Sequence, residues 1–131
     1  MKVKYEKRRF LEWPADVRRR LRQLSFIIGG MRYELSIKDA NPITSVAFCH
    51  GVPVGWALIT ISSCFGWGKG TIMVYVKKAL RRKGIGRELV KVLKRHRPKT
   101  GVSHDDISHC FWHKIVKTDA IPKRFRIDEQ W

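Results

Sequence analysis

Tyr75-Val76-Lys77-Lys78-Ala79-Leu80-Arg81-Arg82-Lys83-Gly84-Ile85-Gly86-Arg87-Glu88-Leu89 is the stretch on which the reading of the chain turns. Before and into it runs an apolar segment of strand type, Ile72 to Val76. A basic turn with two glycines follows, then an amphipathic segment from Arg87 to about Arg97. Arg81-x-x-Gly84-x-Gly86 therefore falls where a strand hands over to a helix. Glycines at such a place let the backbone approach a ligand closely and take conformations closed to other residues. The first helical turn adds unpaired N–H groups and the positive end of the helix dipole. Together these describe an anion site suited to a pyrophosphate.

Two other phosphate loops are excluded. The chain has no Gly-x-x-x-x-Gly-Lys-Ser/Thr, and no Gly-x-Gly-x-x-Gly followed by an acidic residue for a ribose. The remaining pattern is Arg/Gln-x-x-Gly-x-Gly/Ala directly after a strand ending in Tyr-Val. It resembles the acyl-CoA loop of the GNAT superfamily of N-acetyltransferases. The match comprises Val74-Tyr75-Val76, a four-residue connector, Arg81-Arg82-Lys83-Gly84-Ile85-Gly86, and Leu89-Val90. Upstream, Val54-Gly55-Trp56-Ala57 resembles the family's third strand.

The resemblance implies an α/β (α+β) fold, a mixed and mostly antiparallel central sheet flanked by helices, forming one domain over residues 1–131. It implies acetyl-CoA as co-substrate. Arg81, Arg82, Lys83, Gly84, Ile85, Gly86 and Arg87 would hold its phosphates, and Val74, Tyr75 and Val76 would line its path along the strand. The backbone N–H of Val76 would polarise the thioester carbonyl. A second echo lies in Asp105-Asp106-Ile107-Ser108-His109-Cys110-Phe111-Trp112-His113-Lys114, which resembles the family's Asn-x-x-Ala-x-x-Phe-Tyr-x-Lys. Phe111 and Lys114 are identical to it. Trp112, also expected beside the cofactor, replaces the tyrosine that often protonates the leaving thiolate.

The usual general base is also replaced. Many members carry a glutamate eleven residues before the first loop position, and here Gly70 stands there. Nearby positive charge lowers an amine's pKa and reduces the need for a base. His104 and His113, with His109, are the proton-relay candidates, since histidine titrates in the right range. Tyr75 is a further proton donor or a packing residue. His109 and His113 have the i, i+4 spacing of metal ligands, but no carboxylate completes a set in that segment, so no metal is expected.

Composition bounds the partners. The chain has 131 residues, 28 Lys+Arg against 11 Asp+Glu, and a formal net charge of +17. Such an excess favours nucleic acid or an acidic protein. Between Lys77 and Lys99 there are eleven Lys/Arg and one acid, Glu88, more cations than one cofactor needs. Cys49, Cys64 and Cys110 are odd in number and form no Cys-x-x-Cys pair, as expected of reduced thiols in a cytoplasmic protein. No apolar run reaches the length of a membrane span, so no membrane association is expected.

Elsewhere the patterning is plain. Val3 and Tyr5 alternate with charges in a short edge strand, Met1 to Lys7. Trp13-Pro14-Ala15-Asp16 opens a helix with Val17, Leu21, Leu24 and Ile28 on one face and Arg18, Arg19, Arg20 and Arg22 on the other. Gly29-Gly30 is its expected stop. Residues 31–42 read as strand or short helix. Ile43–Cys49 and Val52–Ser62 form a hairpin about His50-Gly51. Trp67, in a glycine-rich connection, is either a base contact or a loop anchor. Pro98 is the expected end of the central helix, and Lys123–Asp128 one further strand.

These observations point to an N-acetyltransferase acting on a primary amine of a macromolecule, a nucleic-acid-linked amine or a protein lysine or N-terminus. The alternative is a non-catalytic module of the same fold that binds nucleic acid or an acidic protein. The short acceptor side suggests a homodimer partner as one way to complete the site.

Overall fold

In the computed structural model, residues 2–24, 40–61 and 70–100 are described. The expected hairpin is formed by β2 (Ile43–Cys49) and β3 (Val52–Ile59). His50 and Gly51 between them have φ of 52° and 76°, the positive pair that suits a two-residue turn between twisted strands. β1 (Val3–Arg9) lies antiparallel on β2, and β4 (Thr71–Val76) antiparallel on β3. β5 (Lys99–Thr100) joins β4 in parallel, which gives the order β1-β2-β3-β4-β5.

Strand alternation sorts the apolar residues to two faces. On one, Ala47, Val54, Ala57 and Ile72 pack against Ile85, Leu89 and Val90 of α2 (Ile85–Val92) and its cap Leu93. On the other, Val46, Trp56, Leu58 and Met73 pack against Phe10, Trp13 and Leu21, the last on α1 (Ala15–Gln23). The mixed sheet flanked by helices is as expected. Among the described residues, no helix is long and apolar enough to cross a membrane.

Two helix ends differ from the sequence reading. α1 stops at Gln23, before Gly29-Gly30: Leu24 is already extended at φ −88° and ψ 90°. Its carbonyl accepts the indole N–H of buried Trp56, a tertiary contact that helical periodicity does not report. α2 begins at Ile85, because left-handed Gly84 (φ 82°) is its cap, and ends at Val92, well before Pro98. There the Leu93 N–H bonds Val90 instead of Leu89, and a 3₁₀ turn over Lys94–His96 follows.

That tightened end leaves the Leu89 carbonyl without its helical donor. Buried Ser45 supplies one, its hydroxyl donating at 2.9 Å and tying β2 to α2. Ser45→Ala should therefore cost about 1–2 kcal/mol, since a buried acceptor loses its partner. Urea denaturation would show this as a lower midpoint at unchanged slope.

Candidate active site

The site is built from the end of β4 outward. Val74 and Val76 face α2, while Tyr75 lies on the opposite face against Trp56, ring centroids 6.2 Å apart. Strand register decides where the backbone groups point. Lys77 donates its N–H to the Val54 carbonyl at 2.9 Å, so Lys77 and Val54 are a hydrogen-bonded pair. Antiparallel pairs alternate, so Val76, opposite Gly55, is a non-hydrogen-bonded position. Its N–H and C=O therefore point away from β3, toward the side on which β5 pairs with the start of β4. A second contact agrees: Arg81 Nε donates to the Val76 carbonyl at 2.9 Å from that side.

Near this end of β3 the register against β2 steps by one residue, with Val54 the extra residue. Such a bulge bends the strand locally. On the α1 face, a shallow cleft beside Lys77 is lined by Arg20, Gln23, Leu24, Val52 and Pro53.

The connector folds back in a 3₁₀ turn over Lys78–Leu80 and brings Arg81 over the Tyr75 ring, 5.4 Å from its centroid. Arg81 thus has a positioning task that the sequence did not disclose. Its Nε is engaged, and among the described residues its terminal nitrogens have no hydrogen-bond partner. Arg82 (φ 64°) and Gly84 (φ 82°) both take left-handed backbone, and Gly84 caps α2 with no side-chain hydrogen bond. The first N–H groups of α2, at Ile85, Gly86 and Arg87, have no intrahelical acceptor. Around them stand Arg82 and Lys83, both exposed, and half-buried Arg87. Among the described residues, the buried Arg87 Nε has no hydrogen-bond partner. An uncapped helix start ringed by guanidinium groups, one with an orphaned donor, is chemically matched to a phosphate.

At the position of the expected base, Gly70 has φ 86° and donates its N–H to the carbonyl of buried Thr60. A left-handed turn favours glycine there, so the missing carboxylate has a backbone reason. His104, His109, Trp112 and His113 lie outside the described residues, as do Trp67, Cys64, Cys110 and the strand expected over 123–128. Cys49 is a half-buried free thiol.

A model of the acetyltransferase (GNAT) family matches residues 6–107. The chain is also similar in fold to solved structures. An aminoglycoside acetyltransferase from an uncultured soil metagenomic sample, in complex with sisomicin, aligns with a TM-score of 0.56 at 17% identity over 98% of this chain and 91% of that one. An N-acetyltransferase from Staphylococcus aureus Mu50 aligns at 0.56 and 13% identity over 89% and 83%. The protein YhhK of E. coli, bound to coenzyme A, aligns at 0.54 and 18% identity over 88% and 90%. No curated protein sequence matches.

Proposed function

The chain belongs to the acetyltransferase (GNAT) family, and from that premise we propose that it transfers an acetyl group from acetyl-CoA to a primary amine on a macromolecule. The observation that carries this reading is the start of α2, where uncapped N–H groups, left-handed Gly84 and the orphaned Arg87 Nε meet. These residues fit a pyrophosphate in charge and in donor supply. The coenzyme A complex of YhhK, which is similar in fold, supports the same reading.

In this reading Gly84, Ile85, Gly86 and Arg87 bind phosphate through backbone N–H groups, and Arg81, Arg82, Lys83 and Arg87 add charge. Acetyl-CoA supplies an activated thioester, whose acyl carbon bonds the amine nitrogen while the C–S bond breaks, and the proton that the nitrogen sheds on becoming an amide goes to the leaving thiolate. Val76 presents its N–H on the side of β4 away from β3, as a donor to the carbonyl oxygen where negative charge develops. Val74 and Tyr75 set the strand that fixes this donor. Arg20 and Lys77, beside a cleft on the α1 face, add positive charge at the end of β4 that favours the neutral, attacking form of an incoming amine. His104 and His113 remain the proton-relay candidates, and Trp112 a cofactor contact. The net charge of +17 supports a polyanionic partner, nucleic acid or acidic protein, and three cysteines without a Cys-x-x-Cys pair support a reducing, cytoplasmic setting.

A second reading, a binding module without catalysis, is favoured by Gly70 at the base position. Calorimetric titration with acetyl-CoA, followed by assay of thiol release with amine acceptors, separates the two. Micromolar binding with acceptor-dependent thiol release is expected. Binding without release from any acceptor would favour the module, and no binding would overturn the assignment of the loop.

A further inference from the structure

At the far end of α2 from Gly84, a second concentration of positive charge is assembled from two distant parts of the chain. β1 sends Lys7 and Arg9 to the same face as Val3 and Tyr5, which pack toward α2. The 3₁₀ turn after α2 carries Arg95 and His96. Lys7 Nζ lies 3.1 Å from His96 Nε2, and all four side chains are exposed. None of the four has a carboxylate within ion-pair distance among the described residues, where Glu88 pairs with Lys91. Eight helical residues, roughly 12 Å of α2, separate this cluster from the phosphate loop. CoA phosphates held at Gly84 therefore do not account for it.

We propose that Lys7, Arg9, Arg95 and His96 form a docking surface for the phosphate backbone of a single-stranded nucleic acid. The proposal rests on the polyanionic partner read above and gives it a place and a chemistry. Lys7 and Arg9 are two strand residues apart, roughly 6.7 Å, so they offer charge at intervals along β1, the end strand of the sheet among the described residues. A polymer with one phosphate per nucleotide can use such a row together with Arg95 across from it, whereas one acidic side chain cannot. Arginine's fork of donors also matches phosphate oxygens. His96 reports on the same surface. Slight desolvation of this exposed ring by the neighbouring protein, and then the charges of Lys7, Arg9 and Arg95, hold it below the usual histidine range. Lys7 donates to its Nε2, which favours the neutral ring with its proton on Nδ1. Phosphate placed among these cations would remove the repulsion and raise the His96 pKa. By linkage, affinity would then increase as pH falls through the bound-state pKa.

The test is fluorescence polarisation of the full chain with a fluorescein-labelled single-stranded oligonucleotide of mixed sequence, across a salt series. The Lys7→Gln/Arg9→Gln/Arg95→Gln protein should lose on the order of 10-fold in affinity, with a salt slope lower by about 2. Lys2→Gln/Lys4→Gln/Arg19→Gln removes as many charges elsewhere and should lose far less. Retained CoA binding would report that both variants are folded. In the unsubstituted protein, the His96 ring signals should show a raised pKa when the oligonucleotide is bound. Equal losses in the two variants, or an unmoved His96, would overturn this surface while leaving a polyanionic partner standing. Displacement by poly-glutamate at matched charge would give the surface to an acidic protein instead. If the unsubstituted protein binds no oligonucleotide at all, the surface fails, and a nucleic-acid partner fails with it.

Discussion

Gly84→Asp should weaken CoA binding about 100-fold or more while the protein stays folded. The position tolerates the side chain. A Cβ built there meets only the Arg87 guanidinium, at 3.8 Å, an ordinary contact. The strain comes from φ of 82°, a conformation that costs an L-residue about 1–2 kcal/mol and that aspartate accepts better than most. A carboxylate at the start of α2 also favours the helix dipole and lies near Arg87, so part of the strain is offset. Binding is another matter. Two unit charges 4 Å apart repel by about 4 kcal/mol at an effective dielectric of 20. Allowing for solvent, about 3 kcal/mol remains, roughly two decades of affinity. Gly84→Asn carries nearly the same volume and tolerance of left-handed backbone without the charge. Calorimetry on both variants therefore separates shape from electrostatics. Near-normal CoA affinity in the aspartate variant would show that phosphate does not sit at this helix start.

The loop was legible because its requirements are local. A strand end, a left-handed cap and a helix start must follow one another in sequence, and Tyr75-Val76 to Gly86 writes them in order. The hairpin at His50-Gly51 was legible for the same reason. What the sequence concealed depends on contacts between distant residues. Lys7 and His96 are separated by 89 positions, and neither stands out in its own segment. Arg81 is the exception, a contact only five positions long: it read simply as a phosphate ligand, because residue types do not report the 3₁₀ turn that returns its Nε to the Val76 carbonyl. The helix ends shifted for similar reasons: Trp56 claims the Leu24 carbonyl, and Ser45 claims that of Leu89. Gly70 shows the limit of alignment by motif. Its place marks an absent carboxylate, but its positive φ shows why the backbone favours a glycine there.

Gly55→Ala should destabilise the protein by about 2 kcal/mol and impair catalysis beyond what that loss explains. In the sequence Gly55 was only part of a Val-Gly-aromatic-Ala resemblance; the structure supplies the physical reason for it. An added Cβ would lie 3.0 Å from the Tyr75 carbonyl oxygen, 3.3 Å from Leu89 Cδ1 and 3.4 Å from Val76 Cα. Two of these neighbours are backbone of β4, and the third is a fully buried side chain of α2. None can turn aside as a flexible side chain would. Overpacking of this kind typically costs about 1–3 kcal/mol. For a domain of this size, about 2 kcal/mol corresponds to a midpoint lower by roughly 6–10 °C. The displaced atoms matter more than the energy. Any relief of the contact moves Tyr75 and Val76 away from β3, and Val76 is the proposed donor to the thioester carbonyl. A shift of a few tenths of an ångström at a preorganised donor weakens its interaction with developing charge, so kcat should fall by about 10-fold. CoA affinity should change little, because the helix start at Gly84 is not touched. A proportionate loss of both would instead mark Gly55 as a packing residue alone and remove the support it gives to Val76.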